Sequence, residues 1–276
     1  MHIHAISTGH LQIKRSHRLG QGDTRAQRLA NCFLDPHYTE PLPVHAWVIE
    51  HPEGVILIDT GETARVLDPE YFPAGERFFW SRFFRFHITP DDEIGPQLKR
   101  LGITPDDVRW VICTHLHLDH TDGIAHFPKA EFLVARTEMI AGGDALNTGM
   151  AGGWPAWFAP TLIDYVPEPI GPFKTSYPVT AAGDVHLVPT PGHTAGHQSV
   201  ILEDDDVTYF FAGDTSFDVP SLLEQAVDGI AHSSTTARAT QRRICALAES
   251  RPLVYLPTHD HDAARRLADR ETLLIA

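Results

Sequence analysis

The sequence has few cysteines and few basic residues. Its 276 residues include only three cysteines, Cys32, Cys113 and Cys245, which lie far apart and form no CxxC pair. An odd number of isolated cysteines excludes a disulfide framework and fits a reducing compartment. Lysine and arginine number 22 against 36 acidic residues, so the formal net charge is −14. Such a surface repels phosphate and disfavours a nucleic acid or an anionic membrane as a partner.

Long apolar runs and nucleotide-binding motifs are also missing. No stretch approaches the roughly 18 apolar residues that a membrane-spanning helix needs. The opening run Met1-His2-Ile3-His4 offers no apolar core for a signal peptide. The sequence contains neither a GxGxxG fingerprint nor a Walker loop. We therefore expect a cytoplasmic protein that binds neither a membrane nor a dinucleotide.

Short apolar runs bounded by turns recur along the chain. Two of them, 44–50 and 54–59, flank His51-Pro52-Glu53-Gly54 and predict a hairpin. The remaining strands are predicted at 108–113, 131–135, 185–189, 199–202, 208–212 and 253–257. Apolar spacing predicts helices over 91–101, 236–249 and 262–274. Short strands interspersed with helices favour an α/β sandwich, and we expect residues 1–276 to form one domain.

Two segments fit neither a strand nor a core helix. Residues 68–88 carry seven phenylalanine or tryptophan residues among prolines and glycines, and residues 142–160 are rich in glycine and aromatic residues. Such segments form either satellite cores under long loops or the walls of an apolar pocket, and the first segment could also cover a dimer interface. The candidate pocket residues in them are Trp80, Phe83, Phe84, Met150, Trp154 and Trp157.

The densest group of possible metal ligands is the run His115-Leu116-His117-Leu118-Asp119-His120. Histidines two positions apart cannot share a helical face, but they can share one side of a strand end or of the turn that leaves it. His115 and His117 could then hold one ion, while Asp119 and His120 face a second. Imidazole and carboxylate ligands suit zinc, iron, manganese or cobalt better than calcium or magnesium.

Three more candidate ligands follow apolar runs at turns. They are His193 in Pro191-Gly192-His193, Asp214 after Ala212-Gly213, and His259 after Pro257-Thr258. Loops at strand ends carry function in α/β folds, so we expect these residues to converge with the histidine run around two metal ions. We interpret His197 as a buried hydrogen-bonding residue, because a further nitrogen would overfill the site.

These residues resemble the metallo-β-lactamase-fold superfamily. The resemblance rests on His115-x-His117-x-Asp119-His120, on Gly192-His193 and Gly213-Asp214, and on the turn Ile58-Asp59-Thr60-Gly61, and it spans residues 44–260. It implies a four-layer αββα sandwich with two metal ions at one edge of the sheets. By position it assigns the first ion to His115, His117 and His193, the second to Asp119, His120 and His259, and a bridging role to Asp214.

Within the superfamily, the chain is similar to the quorum-quenching N-acyl homoserine lactonases. The similarity lies in its length, in the aromatic segment ahead of the histidine run and in the region of Asp214. It implies a metal-dependent hydrolase that opens a lactone ring and is often a dimer. The alternatives are a broader carboxylic-ester, thioester (glyoxalase II-like) or phosphotriester hydrolase. A metal-binding scaffold without activity is disfavoured, because no ligand position is missing.

The resemblance also suggests roles for three further positions. Asp119 would carry a proton to the leaving oxygen. Asp59 would accept a hydrogen bond from a ligand histidine, the alternative being an aspartate that only forms the turn. Phe217 stands where the lactonases have a tyrosine that helps to hold the substrate carbonyl, and phenylalanine lacks the O–H donor. The candidate replacement donors are Tyr38, Tyr165 and Ser216.

Overall fold

The protein is represented by a computed structural model that describes residues 1–73, 75–141 and 154–275. The strands are β1 (His2–Gln12), β2 (Leu42–His51), β3 (Gly54–Ile58), β4 (Arg85–His87), β5 (Val108–Ile112), β6 (Glu131–Ala135), β7 (Thr161–Ile163), β8 (Tyr177–Pro178), β9 (Val185–Pro189), β10 (Gln198–Asp204), β11 (Val207–Gly213) and β12 (Leu253–Pro257).

The α-helices lie between these strands and after them. They are α1 (Arg15–Arg18), α2 (Arg25–Leu34), α3 (Arg77–Phe83), α4 (Ile94–Arg100), α5 (Leu118–Thr121), α6 (Arg136–Ala141), α7 (Val219–Leu223), α8 (Ser234–Ser250) and α9 (Ala263–Asp269). Single 3-10 turns cover Ala64–Leu67, Pro90–Asp92, Pro105–Asp107 and Asp122–His126. Within the described ranges, every helix is too short or too polar to cross a lipid bilayer.

The strands form two mixed sheets. The first has the order β4-β1-β2-β3-β5-β6-β7 and the second the order β12-β11-β10-β9-β8. The hairpin prediction is confirmed, since β2 and β3 pair with Trp47 opposite Ile58. Strands β3 and β5 run parallel, as do β11 and β12. Parallel strands end at the same edge of a sheet, so the loops that follow them gather there.

One apolar core joins the inner faces of the two sheets. Trp47 and Ile58 of the first sheet pack against Phe211 and Leu256 of the second. The rings of Trp47 and Phe211 have their centroids 5.7 Å apart. Alternate residues of a strand point to opposite faces, which is why the outer faces need separate cover.

Helices provide that cover on both sides. Ile94 and Leu98 of α4 pack on the outer face of the first sheet. Ile244 and Leu247 of α8 pack on the outer face of the second sheet. The layers are therefore helix, sheet, sheet and helix, and the expected αββα sandwich is confirmed.

The last helix is shorter than its sequence pattern predicts. The helix expected over 262–274 ends at Asp269, because Arg270 takes a left-handed conformation with φ of 51°. The chain then turns back, and the Leu273 N–H donates to the Leu253 carbonyl at 2.7 Å. The pairing of the tail with β12 explains why the helical prediction is wrong beyond Asp269.

Trp47 sits where both sheets meet, so its truncation tests this core. We expect Trp47→Ala to lower the free energy of unfolding by about 3–5 kcal/mol, the usual range for truncating a buried aromatic side chain. Urea denaturation followed by circular dichroism measures this change. Leu274→Ala is the matched control, since Leu274 is 81% exposed, and it should change stability by no more than about 0.5 kcal/mol. Equal effects of the two substitutions would contradict this picture of the core.

Candidate metal centre

The seven candidate ligands meet at one edge of the sandwich. His115 and His117 follow β5, and the single turn of α5 then carries Asp119 and His120. The other three come from the loops that follow β9, β11 and β12, namely His193, Asp214 and His259. The carboxyl ends of these parallel strands lie together, so residues up to 144 positions apart in the sequence, from His115 to His259, become neighbours.

Their donor atoms form three overlapping groups. Within each group, one nitrogen or carboxylate oxygen of every residue lies within 4.8 Å of the others. The groups are His115, His117 and His193; His115, His120 and Asp214; and Asp119, His120 and His259. Histidine and carboxylate at this spacing are the usual ligands of zinc and related ions. This spacing allows two ions, one held by the first group and one by the third.

Bound cations explain the short distances between the donor atoms better than hydrogen bonds between them do. The Nδ1 atom of His117 lies 2.9 Å from both His115 Nε2 and His193 Nε2. One proton on Nδ1 can serve only one of these two neighbours, whereas a cation can accept all three lone pairs. In the described part of the chain, His120 Nε2 and Asp214 Oδ1 are buried without hydrogen-bond partners and lie 3.4 Å apart. Buried polar atoms seldom stay unpaired, so these atoms also fit a bound ion.

Three ligand histidines use their other ring nitrogen to hold a fixed orientation. These contacts join His120 Nδ1 to Asp59 Oδ2 at 2.8 Å, His193 Nδ1 to Asp228 Oδ2 at 3.0 Å and His259 Nδ1 to the Pro43 carbonyl at 2.9 Å. Each N–H donates outward, which leaves the Nε2 lone pair directed into the cluster. Metal-ligating imidazoles are generally oriented in this way.

Asp59 also fastens the end of β3 to the loop after β5. Its carboxylate accepts hydrogen bonds from the Thr114 backbone N–H at 2.7 Å and from Thr114 Oγ1 at 2.8 Å. The residue adopts a left-handed conformation with φ of 57°, which few residues other than glycine, asparagine and aspartate tolerate. A single side chain thus orients His120 and fixes the backbone next to His115.

His197 is buried beside the cluster, and both of its ring nitrogens form hydrogen bonds with residues other than the candidate histidine ligands. Its Nε2 accepts from the Asp214 backbone N–H at 3.0 Å, and its Nδ1 lies 2.8 Å from Thr190 Oγ1. Gly213 is required at this contact, since it has a φ of +55° and a Cβ there would lie 2.6 Å from His197 Nε2. His197 therefore positions the backbone of Asp214 and has no free lone pair to offer an ion.

Two acidic residues near the cluster carry no recognisable sequence signal. Asp228 orients His193, as described above, and no repeating spacing connects the two positions. Glu138 on α6 is buried and accepts from the Leu116 N–H at 3.2 Å, from Thr194 Oγ1 at 2.8 Å and from the Gly196 N–H at 2.9 Å. It ties the loop of His115 to the loop of His193. Only the tertiary contacts identify these two residues.

Charge is concentrated around His259, in the third group of candidate ligands. Burial opposes protonation of His259, but the carboxylates of Asp214 and Asp119 outweigh it and raise the pKa of His259 to about 10. Burial, together with the neighbouring His193, lowers the pKa of His117 to about 3. The two buried carboxylates therefore draw positive charge into the cluster, and divalent ions would supply it without protonating the ligands.

An apolar cavity of about 470 Å³ opens beside the ligands. Four of the candidate pocket residues line it, namely Trp80, Phe83, Phe84 and Phe217. Phe217 stacks on the ligand His259 with a centroid distance of 5.3 Å, which connects the cavity wall to the cluster. The segment 68–88 supplies α3 and β4 to this wall.

The other candidate pocket residues do not line this cavity. Trp154 Nε1 donates to Thr121 Oγ1 at 3.3 Å and faces a separate cavity on the far side of α5. Trp157 is 44% exposed and packs near Phe132. These two tryptophans therefore lie outside the cavity beside the candidate ligands. Trp154 packs on the outer face of the first sheet, and Trp157 contacts Phe132 of the same face. Met150 lies outside the described residues.

The three candidate replacements for the missing tyrosine hydroxyl are engaged elsewhere. None of them lines the cavity beside the ligands. The Tyr38 hydroxyl donates to the Arg82 carbonyl at 2.8 Å, and the Tyr165 hydroxyl to Gln198 Oε1 at 2.9 Å. The Ser216 hydroxyl donates to the Asp218 carbonyl at 2.9 Å. The structure thus leaves the polar contact of this cavity to another residue.

Asp228 orients His193, so its carboxylate should matter for metal affinity. We expect Asp228→Asn to weaken binding at the first group of ligands by about 10–100-fold, the usual effect of losing such an orienting carboxylate. Competition with a chelating dye measures the affinity, and elemental analysis measures the occupancy. Asp164→Asn is the control, since Asp164 pairs with Arg136 on the surface. Unchanged affinity in Asp228→Asn would contradict the orienting role.

Comparison with known proteins agrees with this architecture. The family model described as the metallo-beta-lactamase superfamily matches residues 39–269. The chain is 34% identical over 183 residues to N-acyl homoserine lactonase AiiA of Bacillus thuringiensis subsp. kurstaki, and the matched region covers 63% of each protein. It is 28% identical over 237 residues to N-acyl homoserine lactonase AttM of Rhizobium radiobacter, which covers 80% of this chain and 83% of AttM.

Solved structures share the fold. An N-acyl homoserine lactone hydrolase with its product N-hexanoyl-L-homoserine at the catalytic metal center superposes with a TM-score of 0.74 at 22% identity, over 95% of this chain and 94% of that one. The dizinc quorum-quenching lactonase AidC superposes with a TM-score of 0.61 at 15% identity, over 93% and 86%. The match of the family model to most of the sequence, on the αββα sandwich described above, shows that the chain belongs to the metallo-β-lactamase superfamily.

Proposed function

We propose that this protein is a metal-dependent lactonase that hydrolyses N-acyl homoserine lactones. The observation that carries the proposal is the position of the ligand cluster at one end of an apolar cavity of about 470 Å³. An acylated lactone has a polar ring and an apolar chain, which match these two environments. The similarity to AiiA and AttM supports the same substrate class.

We assign one metal ion to each end of the cluster. His115, His117 and His193 would hold the first ion, Asp119, His120 and His259 the second, and Asp214 would lie between them. Bound there, two divalent ions would supply Lewis-acid chemistry: they would polarise a carbonyl oxygen and lower the pKa of a water towards neutrality. Zinc is our choice of metal because imidazole donors predominate, while iron, cobalt and manganese accept the same ligands.

Asp119 is the ligand best placed to move a proton. Its Oδ2 lies 3.3 Å from His259 Nε2, and its side chain is 17% exposed against 6% for Asp214. Asp119 therefore reaches both the cluster and the cavity. Hydrolysis adds water to the carbonyl carbon and breaks the ring C–O bond, so the leaving oxygen needs a proton. We propose that Asp119 delivers that proton.

The aromatic wall would hold the acyl chain and keep water out. Trp80, Phe83, Phe84 and Phe217 present apolar rings to the cavity. Each methylene of the chain that leaves water for such a wall contributes about 0.8 kcal/mol. The described residues of the wall include no lysine or arginine, which favours an uncharged substrate over an anionic thioester such as S-lactoylglutathione.

Compartment, assembly and domain organisation are further parts of the proposal. Three free cysteines support a cytoplasmic location. Phe33, Leu34 and Phe78 are large apolar residues exposed near the cavity mouth, and they support a homodimer that covers them. The core shared by both sheets supports a single domain.

Removal of metal tests the proposal directly. We expect the metal-loaded protein to open N-hexanoyl-L-homoserine lactone in a pH-stat assay, and chelation followed by dialysis to abolish the rate. Two equivalents of zinc should restore it. The same assay with S-lactoylglutathione and a phosphotriester measures the alternatives. Turnover of either of these with no lactone opening would reject the lactonase, and full activity without metal would reject the metal centre.

A substitution of Asp119 tests the proton delivery. We expect Asp119→Asn to lower kcat by about 10²–10⁴-fold, because an amide cannot deliver the proton. Metal content is measured alongside, since the residue is also an assigned ligand. Asp106→Asn, which changes an exposed aspartate paired with Lys129, serves as the control. A variant with full metal content and unchanged kcat would contradict the assignment.

A further inference from the structure

His17 places an imidazole in the wall of the apolar cavity. The residue lies on α1 and is only 4% exposed, yet it lines the cavity together with Phe217 and the ligands. Its Nδ1 atom is buried and has no hydrogen-bond partner within the described residues. A polar side chain buried at a cavity wall without a partner is unusual, because most buried polar groups are hydrogen-bonded.

Aromatic neighbours fix the orientation of the His17 ring. Its centroid lies 5.8 Å from that of Phe84 and 6.1 Å from that of Phe217, with both rings nearly perpendicular to the imidazole. The backbone is held as well, since the His17 carbonyl accepts from the Gly229 N–H at 2.7 Å. The imidazole therefore has a defined position in the cavity wall.

The other polar side chains of the wall, apart from the candidate metal ligands, are Trp80, Glu76 and Glu62. The Trp80 indole N–H donates to Glu76 Oε2 at 3.2 Å. The Glu62 carboxyl is buried; its Oε1 accepts from the Thr63 backbone N–H at 2.9 Å, and its Oε2 has no partner among the described residues. His17 differs from these residues because its unpaired ring nitrogen belongs to a side chain that contacts Phe217, and Phe217 in turn stacks on His259.

The imidazole is suited to a neutral partner. Burial lowers the pKa of His17 to about 4, so the ring is uncharged at neutral pH. A neutral imidazole has one N–H donor and one acceptor nitrogen. A carbonyl oxygen is the natural partner for that N–H in an otherwise apolar wall.

We propose that His17 donates its ring N–H to the carbonyl oxygen of the substrate's N-acyl amide. The Phe217 ring lies between His17 and the ligand His259, on which it stacks. His17 is therefore separated from the candidate ligands by one aromatic ring. With the lactone at the ligands, the next polar group of the substrate is its amide, which would lie near His17. This assignment rests on the proposed lactonase function and makes His17 a residue that selects acylamino lactones over plain alkyl lactones.

Two substrates and two substitutions test the assignment. N-hexanoyl-L-homoserine lactone carries the amide, and α-heptyl-γ-butyrolactone replaces it with methylenes. His17→Phe keeps a ring beside Phe84 and Phe217 but removes the N–H. We expect kcat/KM for the acylamino lactone to fall about tenfold, the size of an unmade hydrogen bond to a buried acceptor. The value for the alkyl lactone should change by less than about twofold, and His17→Gln, which keeps an N–H, should restore part of the loss.

Binding of the ring-opened product provides a readout independent of turnover. We expect calorimetry to show about tenfold weaker binding of N-hexanoyl-L-homoserine to His17→Phe, with the metal content unchanged. His45→Phe is the matched control, since His45 is also buried but packs against Trp47 outside the cavity. It should leave the ratio of the two kcat/KM values unchanged. If His17→Phe does not fold, His17→Leu takes its place in the same comparison.

The outcomes separate this inference from the proposed function. If the unmodified protein opens N-hexanoyl-L-homoserine lactone and His17→Phe leaves the substrate ratio unchanged, the role of His17 is overturned and the lactonase stands. Equal losses on both substrates would likewise overturn it, because they would indicate a structural effect. If the unmodified protein opens neither lactone, the proposed function fails and the assignment fails with it.

Discussion

Two carboxylates and five imidazoles, most of them buried, lie together at one edge of the sandwich, and that arrangement constrains the residues around it. Asp119 and Asp214 cannot stay charged in a buried site without compensating positive charge. The nitrogens of His115, His117 and His193 converge too closely to be satisfied by protons alone. Divalent cations resolve both problems, so the fold must hold the donors in a geometry that has little stability without them.

Strand ends bring the donor atoms together, and a few hydrogen bonds orient them. Strands β5, β9, β11 and β12 deliver the ligands from two sheets, and the shared core fixes the distance between those sheets. Asp59 and Asp228 then set individual imidazole rings, while Glu138 ties one ligand loop to another. The loss of one such orienting hydrogen bond typically lowers metal affinity by about 10–100-fold.

The cavity beside the candidate ligands has two chemically different parts. The polar end holds the donors, and the wall built from α3, β4 and the first residues of the chain is almost entirely apolar. In such a wall one hydrogen-bond donor has a large influence, because the low local dielectric strengthens the hydrogen bond that it makes. His17 and Phe217 lie side by side in this wall.

The sequence by itself determined the α/β class and most strand positions, because short apolar runs between turns indicate strands. The αββα layers and the candidate ligand cluster were predicted from the resemblance of its motifs to the metallo-β-lactamase-fold superfamily. The spacing of His115 and His117 agrees with that prediction, since it suits a strand end or the turn that leaves it. The tertiary structure decided which residues orient the candidate ligands and which residues line the cavity. Asp228, Glu138 and His17 acquire their positions from contacts between distant segments, and Trp154 and Trp157 pack beside the outer face of the first sheet. Such contacts leave no periodic trace, because they depend on how the two sheets pack.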